Sequence, residues 1–93
     1  MPRYLIERNI PNAGAMGQEW LKTISQKSNS VLRDLHADGK QVQWEHSYVV
    51  DNAIYCVYVA SDPDVVLEHA RCGGFPADRI LEVQEVINPI TGE

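Results

Sequence analysis

Ninety-three residues and 10.5 kDa suit one compact domain spanning 1–93, because domains usually run to about 50–250 residues. Hydrophobic residues at 44% and charged residues at 23% exclude a disordered or low-complexity chain. The net charge of −5 argues against nucleic acid and anionic membrane as partners, since both are bound through clustered cations.

The first strand is predicted over Arg3–Arg8, where apolar residues alternate, and it stops at Asn9-Ile10-Pro11-Asn12-Ala13-Gly14. Trp20, Leu21, Ile24, Ser28, Val31, Leu32 and Leu35 then fall on one stripe of an amphipathic helix, placed at 17–37 and closed by Gly39. Val42–Val50 and Ile54–Ala60 are rich in β-branched and aromatic residues. Asp51-Asn52 between them predicts a tight antiparallel hairpin. Asp62 as cap, Pro63 at the first helical position and Asp64 in the first turn start a second helix. Its expected inward stripe is Val66, Ala70 and Gly73, with Leu67 at the margin and Gly73-Gly74 at the end. Phe75 is read as a plug for an open edge of the core, Arg79–Ile87 as the last strand, and Thr91-Gly92-Glu93 as a loose end. The order is that of an α+β, ferredoxin-like βαββαβ fold: a four-stranded antiparallel sheet with two helices on one face. The other face is left for a second copy of the chain, giving a homodimer packed through the sheets.

The longest apolar runs are far shorter than the ~18 residues needed to span a bilayer. Met1-Pro2-Arg3-Tyr4 also lacks the order of a signal peptide, so a cytoplasmic protein with Cys56 and Cys72 as free thiols is expected.

Several strings carry a family signature: Pro2-Arg3-Tyr4-Leu5-Ile6-Glu7-Arg8, Trp44-Glu45-His46-Ser47-Tyr48-Val49, Tyr55-Cys56-Val57-Tyr58, Glu68-His69-Ala70-Arg71 and Gly74-Phe75-Pro76-Ala77-Asp78-Arg79-Ile80. Together they resemble the nickel-responsive-protein-like family of small bacterial proteins, most of unknown function. The resemblance implies a ferredoxin-like protomer, a homodimer packed through its sheets, and nickel binding in at least one relative. It implies no ligand set residue by residue.

His46 is the first metal-ligand candidate, because a neutral imidazole suits Ni(II) or another divalent transition metal and this one lies in mid-strand. Simple alternation puts Trp44, His46 and Tyr48 on one face and Glu45, Ser47 and Val49 on the other. A two- or four-residue hairpin loop sets His46 against Val57 with Tyr55 on its face, whereas a three-residue loop pairs it with Tyr58 and brings Cys56 near. The competing reading is a histidine hydrogen-bonded at a dimer interface. Cys56, within an apolar strand, is a weaker candidate and reads first as a small buried hydrophobe. His69 and Cys72, three apart on the second helix, are compatible with one metal or with a solvated face. Glu7 could supply a hard oxygen or a general base, or be an exposed residue balanced by Arg8. His36 is read as a partner for the helix dipole. The aromatic set of Tyr4, Trp44, Tyr48, Tyr55 and Tyr58 is assigned to core and interface.

No phosphate loop, nucleophile elbow, His-Glu-X-X-His or four-ligand zinc spacing is present, and no catalytic residue is identified. The leading function is therefore a small homodimeric divalent-metal binding or sensing protein. The alternatives are a dimeric α/β-barrel enzyme enclosing a small organic substrate, and an interaction protein with no ligand. A mostly apolar pocket with one or two convergent polar groups would favour the enzyme.

Overall fold

The computed structural model describes residues 1–93. Its elements run β1 (Arg3–Asn9), α1 (Gln18–Ala37), β2 (Val42–Val49), β3 (Ala53–Ala60), α2 (Pro63–Gly73) and β4 (Arg79–Glu82), with 3-10 turns at Ala13–Ala15 and Pro89–Gly92. The sheet order is β2-β3-β1-β4 and every pair is antiparallel, the ferredoxin-like arrangement. No helix is long and apolar enough to cross a membrane.

Alternation decides which residues meet the helices. Tyr4, Ile6 and Arg8 of β1 and Ile54, Cys56, Tyr58 and Ala60 of β3 are buried under α1 and α2. From the helices, Leu32 and Leu35 of α1 and Val65, Val66 and Ala70 of α2 complete this layer. Burying each large aliphatic side chain contributes about 1.5–3 kcal/mol. The opposite face carries Leu5 and Glu7 of β1, Tyr55, Val57 and Val59 of β3, His46 and Tyr48 of β2, and Leu81 of β4, with no element over it.

The β2–β3 hairpin closes through Val50 N–H donating to Ala53 O (3.0 Å), leaving Asp51-Asn52 at its tip. That tip is tied to the first 3-10 turn: Asn12 N–H donates to Asn52 Oδ1 (3.0 Å) and Gly14 N–H to Asp51 O (3.1 Å). A Cβ on Gly14 would stand 2.9 Å from Val50 O, so only glycine permits this approach. Asp62 caps α2 as its sequence suggests, Oδ1 accepting from Val65 N–H (3.1 Å), and Gly74 ends it at φ +69.

Four expectations need correction. In β2 the pairing is Trp44 with Tyr58 and then His46 with Val57, so Glu45 is the extra residue of a β-bulge. The bulge inverts the alternation beyond it: Trp44, Ser47 and Val49 turn toward the helices, and His46 and Tyr48 turn away. In α2 the inward face takes His69 and Val65 as well as Val66 and Ala70, while Leu67 is 45% exposed. The last strand ends at Glu82 rather than Ile87 because its partner ends there. Val83 N–H still donates to Arg3 O (2.8 Å), but the residue before Arg3, Pro2, gives its carbonyl to Ala60 on the β3 side and offers β4 nothing. Val86 and Ile87 are accordingly 65% and 78% exposed. Residues 89–92 are not loose: Asn88 and Thr91 form a reciprocal capping box around a 3-10 turn.

Candidate functional site

The alternation that buries Tyr4 and Ile6 also buries Arg8, whose residual exposure is 3%. Its guanidinium donates from Nη1 to Pro76 O (2.6 Å) and from Nε to Cys56 Sγ (3.4 Å). It lies 5.5 Å from the Phe75 ring centroid and 5.9 Å from that of Tyr58, so two aromatic faces favour the cation. Nη2 is buried without any hydrogen-bond partner. No carboxylate reaches it: the acidic partners in ion pairs are Glu45 with Arg3, Glu68 with Lys40, and Glu7 with Arg79. A buried donor left unpaired costs about 1–3 kcal/mol, and more when it belongs to a charged group.

His69 lies behind this cation, fully buried, with Nε2 3.1 Å from Ser28 Oγ of α1. Its ring stacks on Phe75 (5.5 Å, 28°) and tilts against Tyr58 (5.2 Å). Burial first, and the Arg8 charge second, push the imidazole down to about 4, so at neutral pH it adds no second charge. Burial likewise raises the Tyr58 phenol, with Arg8 opposing, and this hydroxyl also stays neutral. The charge of Arg8 therefore has no counter-charge around it.

Between α1 and the sheet lies a cleft of about 80 Å³ with Arg8 in its wall. Buried Ser28, Cys56 and Tyr58 form the inner lining, while the half-exposed Ile24, Trp44 and Phe75 stand nearer solvent. Trp44 is held there by Nε1 donating to Ser47 Oγ (2.9 Å) across the bulge. The combination of apolar walls with one convergent cation is typical of small-molecule sites.

The four metal-ligand candidates do not gather. His46 is exposed on the open sheet face, its ring edge-on to Tyr48 at 5.0 Å, and it opposes Val57 with Tyr55 on the same face. Glu7 shares that face two strands away, accepting from Tyr55 Oη (3.2 Å) and paired with Arg79 at 3.7 Å rather than with Arg8. Cys56 and His69 are on the helix side, and Cys72, expected beside His69, is exposed. No group of three or more His, Cys, Asp and Glu side chains is close enough to hold a metal ion. The Cys56–His69 region fits a cation poorly because the Arg8 guanidinium already stands there. His36 donates from Nε2 to Val42 O (2.6 Å), which ties the end of α1 to β2. The sequence signal for Arg8 is its phase: it is two residues after Ile6 and four after Tyr4, on the side of β1 that is buried.

A family profile described as nickel responsive protein SCO4226-like matches residues 4–83. No curated protein sequence matches significantly. Among solved structures, SCO4226 from Streptomyces coelicolor A3(2) has a similar fold, with a TM-score of 0.75 at 18% identity over 91% of this chain and 99% of that one. With the profile spanning both helices and all four strands, the chain belongs to the SCO4226-like family of nickel-responsive proteins.

Proposed function

We propose that this chain is a divalent-metal binding or sensing protein, with nickel as the first metal to test, and that it acts as a homodimer packed through its open sheet faces. The observation that carries the reading is the state of its three imidazoles. His36 is bonded to a backbone carbonyl and His69 is sealed in the core beside a cation, whereas His46 is exposed and makes no hydrogen bond. An unengaged neutral imidazole is the donor that a borderline metal such as nickel selects. Family membership supports the choice of metal. One protomer offers too few donors at His46 for a complete shell, and a two-fold axis through the sheet face would add a second protomer's donors, with water filling the remainder. Of the carboxylates there, Glu7 is held by Tyr55 Oη and Arg79, and Glu45 is engaged by Arg3 Nε at 2.6 Å, which holds its carboxyl below the usual range.

The test is Ni(II) titration calorimetry on untagged protein, with sedimentation run in parallel. Stoichiometric uptake by a dimer is expected. His46→Ala should weaken binding by more than tenfold, or about 1.4 kcal/mol, without altering circular dichroism. An unchanged dissociation constant in that folded variant would remove His46 from the site, and absence of uptake by the wild type would end the metal reading.

A further inference from the structure

We propose that the cleft between α1 and the sheet binds a small organic monocarboxylate, whose charged group meets the free Nη2 of Arg8 and whose apolar body lies between Ile24 and Trp44. The inference goes beyond the metal reading and is independent of it, since the cleft and His46 are on opposite faces of the sheet.

Three observations converge on it. The first is the orphaned donor: Arg8 is almost wholly buried, lines the cleft and keeps Nη2 unpartnered. A guanidinium carries five N–H donors, and only Nε and one Nη1 hydrogen are engaged, so a carboxylate can still be received by more than one bond. The second is charge: no acidic side chain approaches, and Tyr58 and His69 are uncharged neighbours, so one negative charge is the complement the cleft lacks. A phosphate-like dianion would bring more charge than a single guanidinium offsets. The third is shape and lining. Apart from Arg8, the polar groups of the wall are neutral hydroxyls and a thiol, those of Ser25, Ser28, Ser47, Tyr58 and Cys56, and the remaining lining is aliphatic or aromatic. Such walls repel a bare inorganic ion and favour an acid with a hydrocarbon portion. The cation is also pre-organised. Pro76 O, Phe75 and Tyr58 fix the guanidinium before any ligand arrives, so little conformational freedom remains to be lost on binding.

The test uses benzoate as probe, benzyl alcohol as its neutral counterpart and inorganic phosphate as the competing anion. Binding is read by titration calorimetry and by the shift in thermal midpoint, at concentrations up to about 20 mM. Saturable benzoate binding is expected, at least about tenfold tighter than benzyl alcohol, with phosphate failing to compete. Arg8→Met should keep its circular dichroism and lose the preference for benzoate over the alcohol. Ile24→Trp, which crowds the cleft while keeping Arg8, should abolish binding, and it decides the matter if Arg8→Met does not fold. Equal affinity for benzoate and benzyl alcohol, effective competition by phosphate, benzoate binding undiminished in either folded variant, or no saturable signal would each overturn the proposal.

Discussion

Replacing His69 with glutamine should flatten the acid limb of the stability curve. His69 is fully buried, stacked on Phe75 and set beside an uncompensated guanidinium, so protonating it would place a second positive charge in the core. Its folded-state value is pushed from 6.5 to about 4, first by burial and then by Arg8. Between those two values the unfolded chain binds a proton that the folded chain refuses, so stability rises with pH across this window and is lost as pH falls through it. At 1.36 kcal/mol per unit, the depression amounts to about 3 kcal/mol in full, of which about 2.5 should be lost between pH 7 and pH 4.5. Carboxylates such as Glu45, depressed by Arg3, add an acid dependence of their own, but they are common to both proteins and cancel in the difference. The glutamine amide keeps a polar group for Ser28 and does not titrate. Urea unfolding of wild type and His69→Gln at about pH 7 and about pH 4.5 gives the double difference directly. The variant will be less stable at neutral pH because it loses the stacked ring, and the gap should narrow or reverse in acid. Parallel curves across the window would refute the reasoning and mean that His69 charges without penalty.

Gly73→Ala should cost about 1–3 kcal/mol in thermal or urea unfolding, because the new methyl would collide with the Phe75 ring, which cannot move without leaving His69 and Arg8. A change below about 0.5 kcal/mol would show that Phe75 is not held. Asp62→Ala should cost about 1 kcal/mol by removing the cap on Val65 N–H, and amide exchange should rise first in the opening turn of α2.

The architecture was legible because each element announces itself locally. The Trp20–Leu35 stripe, the Asp62-Pro63 start and the Asp51-Asn52 tip are patterns within a few residues, and βαββαβ admits few layouts. What was not legible depends on partners distant in the chain. The end of β4 is set by where β1 begins, at the opposite end of the sequence, although Val83–Ile87 continue to alternate. The bulge at Glu45 is visible only against β3, and it reversed the grouping of Ser47 and Val49 with respect to Trp44. For the candidate cleft the difficulty was different. Arg8 was in phase with the core from the outset, but a charge is ordinarily assigned to solvent. His69 was misplaced with Cys72 because their spacing alone says nothing of which side of the helix faces inward.

The bulge has a consequence for how this protein can change over generations. In an unbroken strand, residues three apart point to opposite sides, yet Trp44 and Ser47 are bonded to each other because one surplus residue intervenes. A single strand thereby furnishes the cleft with Trp44, Ser47 and Val49 while displaying His46 and Tyr48 on the far surface. Substitutions can tune either surface separately, since neither shares a side chain with the other. Loss of the codon at position 45 can be absorbed too: with the hairpin tip held, Trp44 would follow His46 directly, stay opposite Tyr58 and still face the cleft. In β2, the surplus residue therefore makes the strand tolerant of a shortening that an unbroken strand could not absorb.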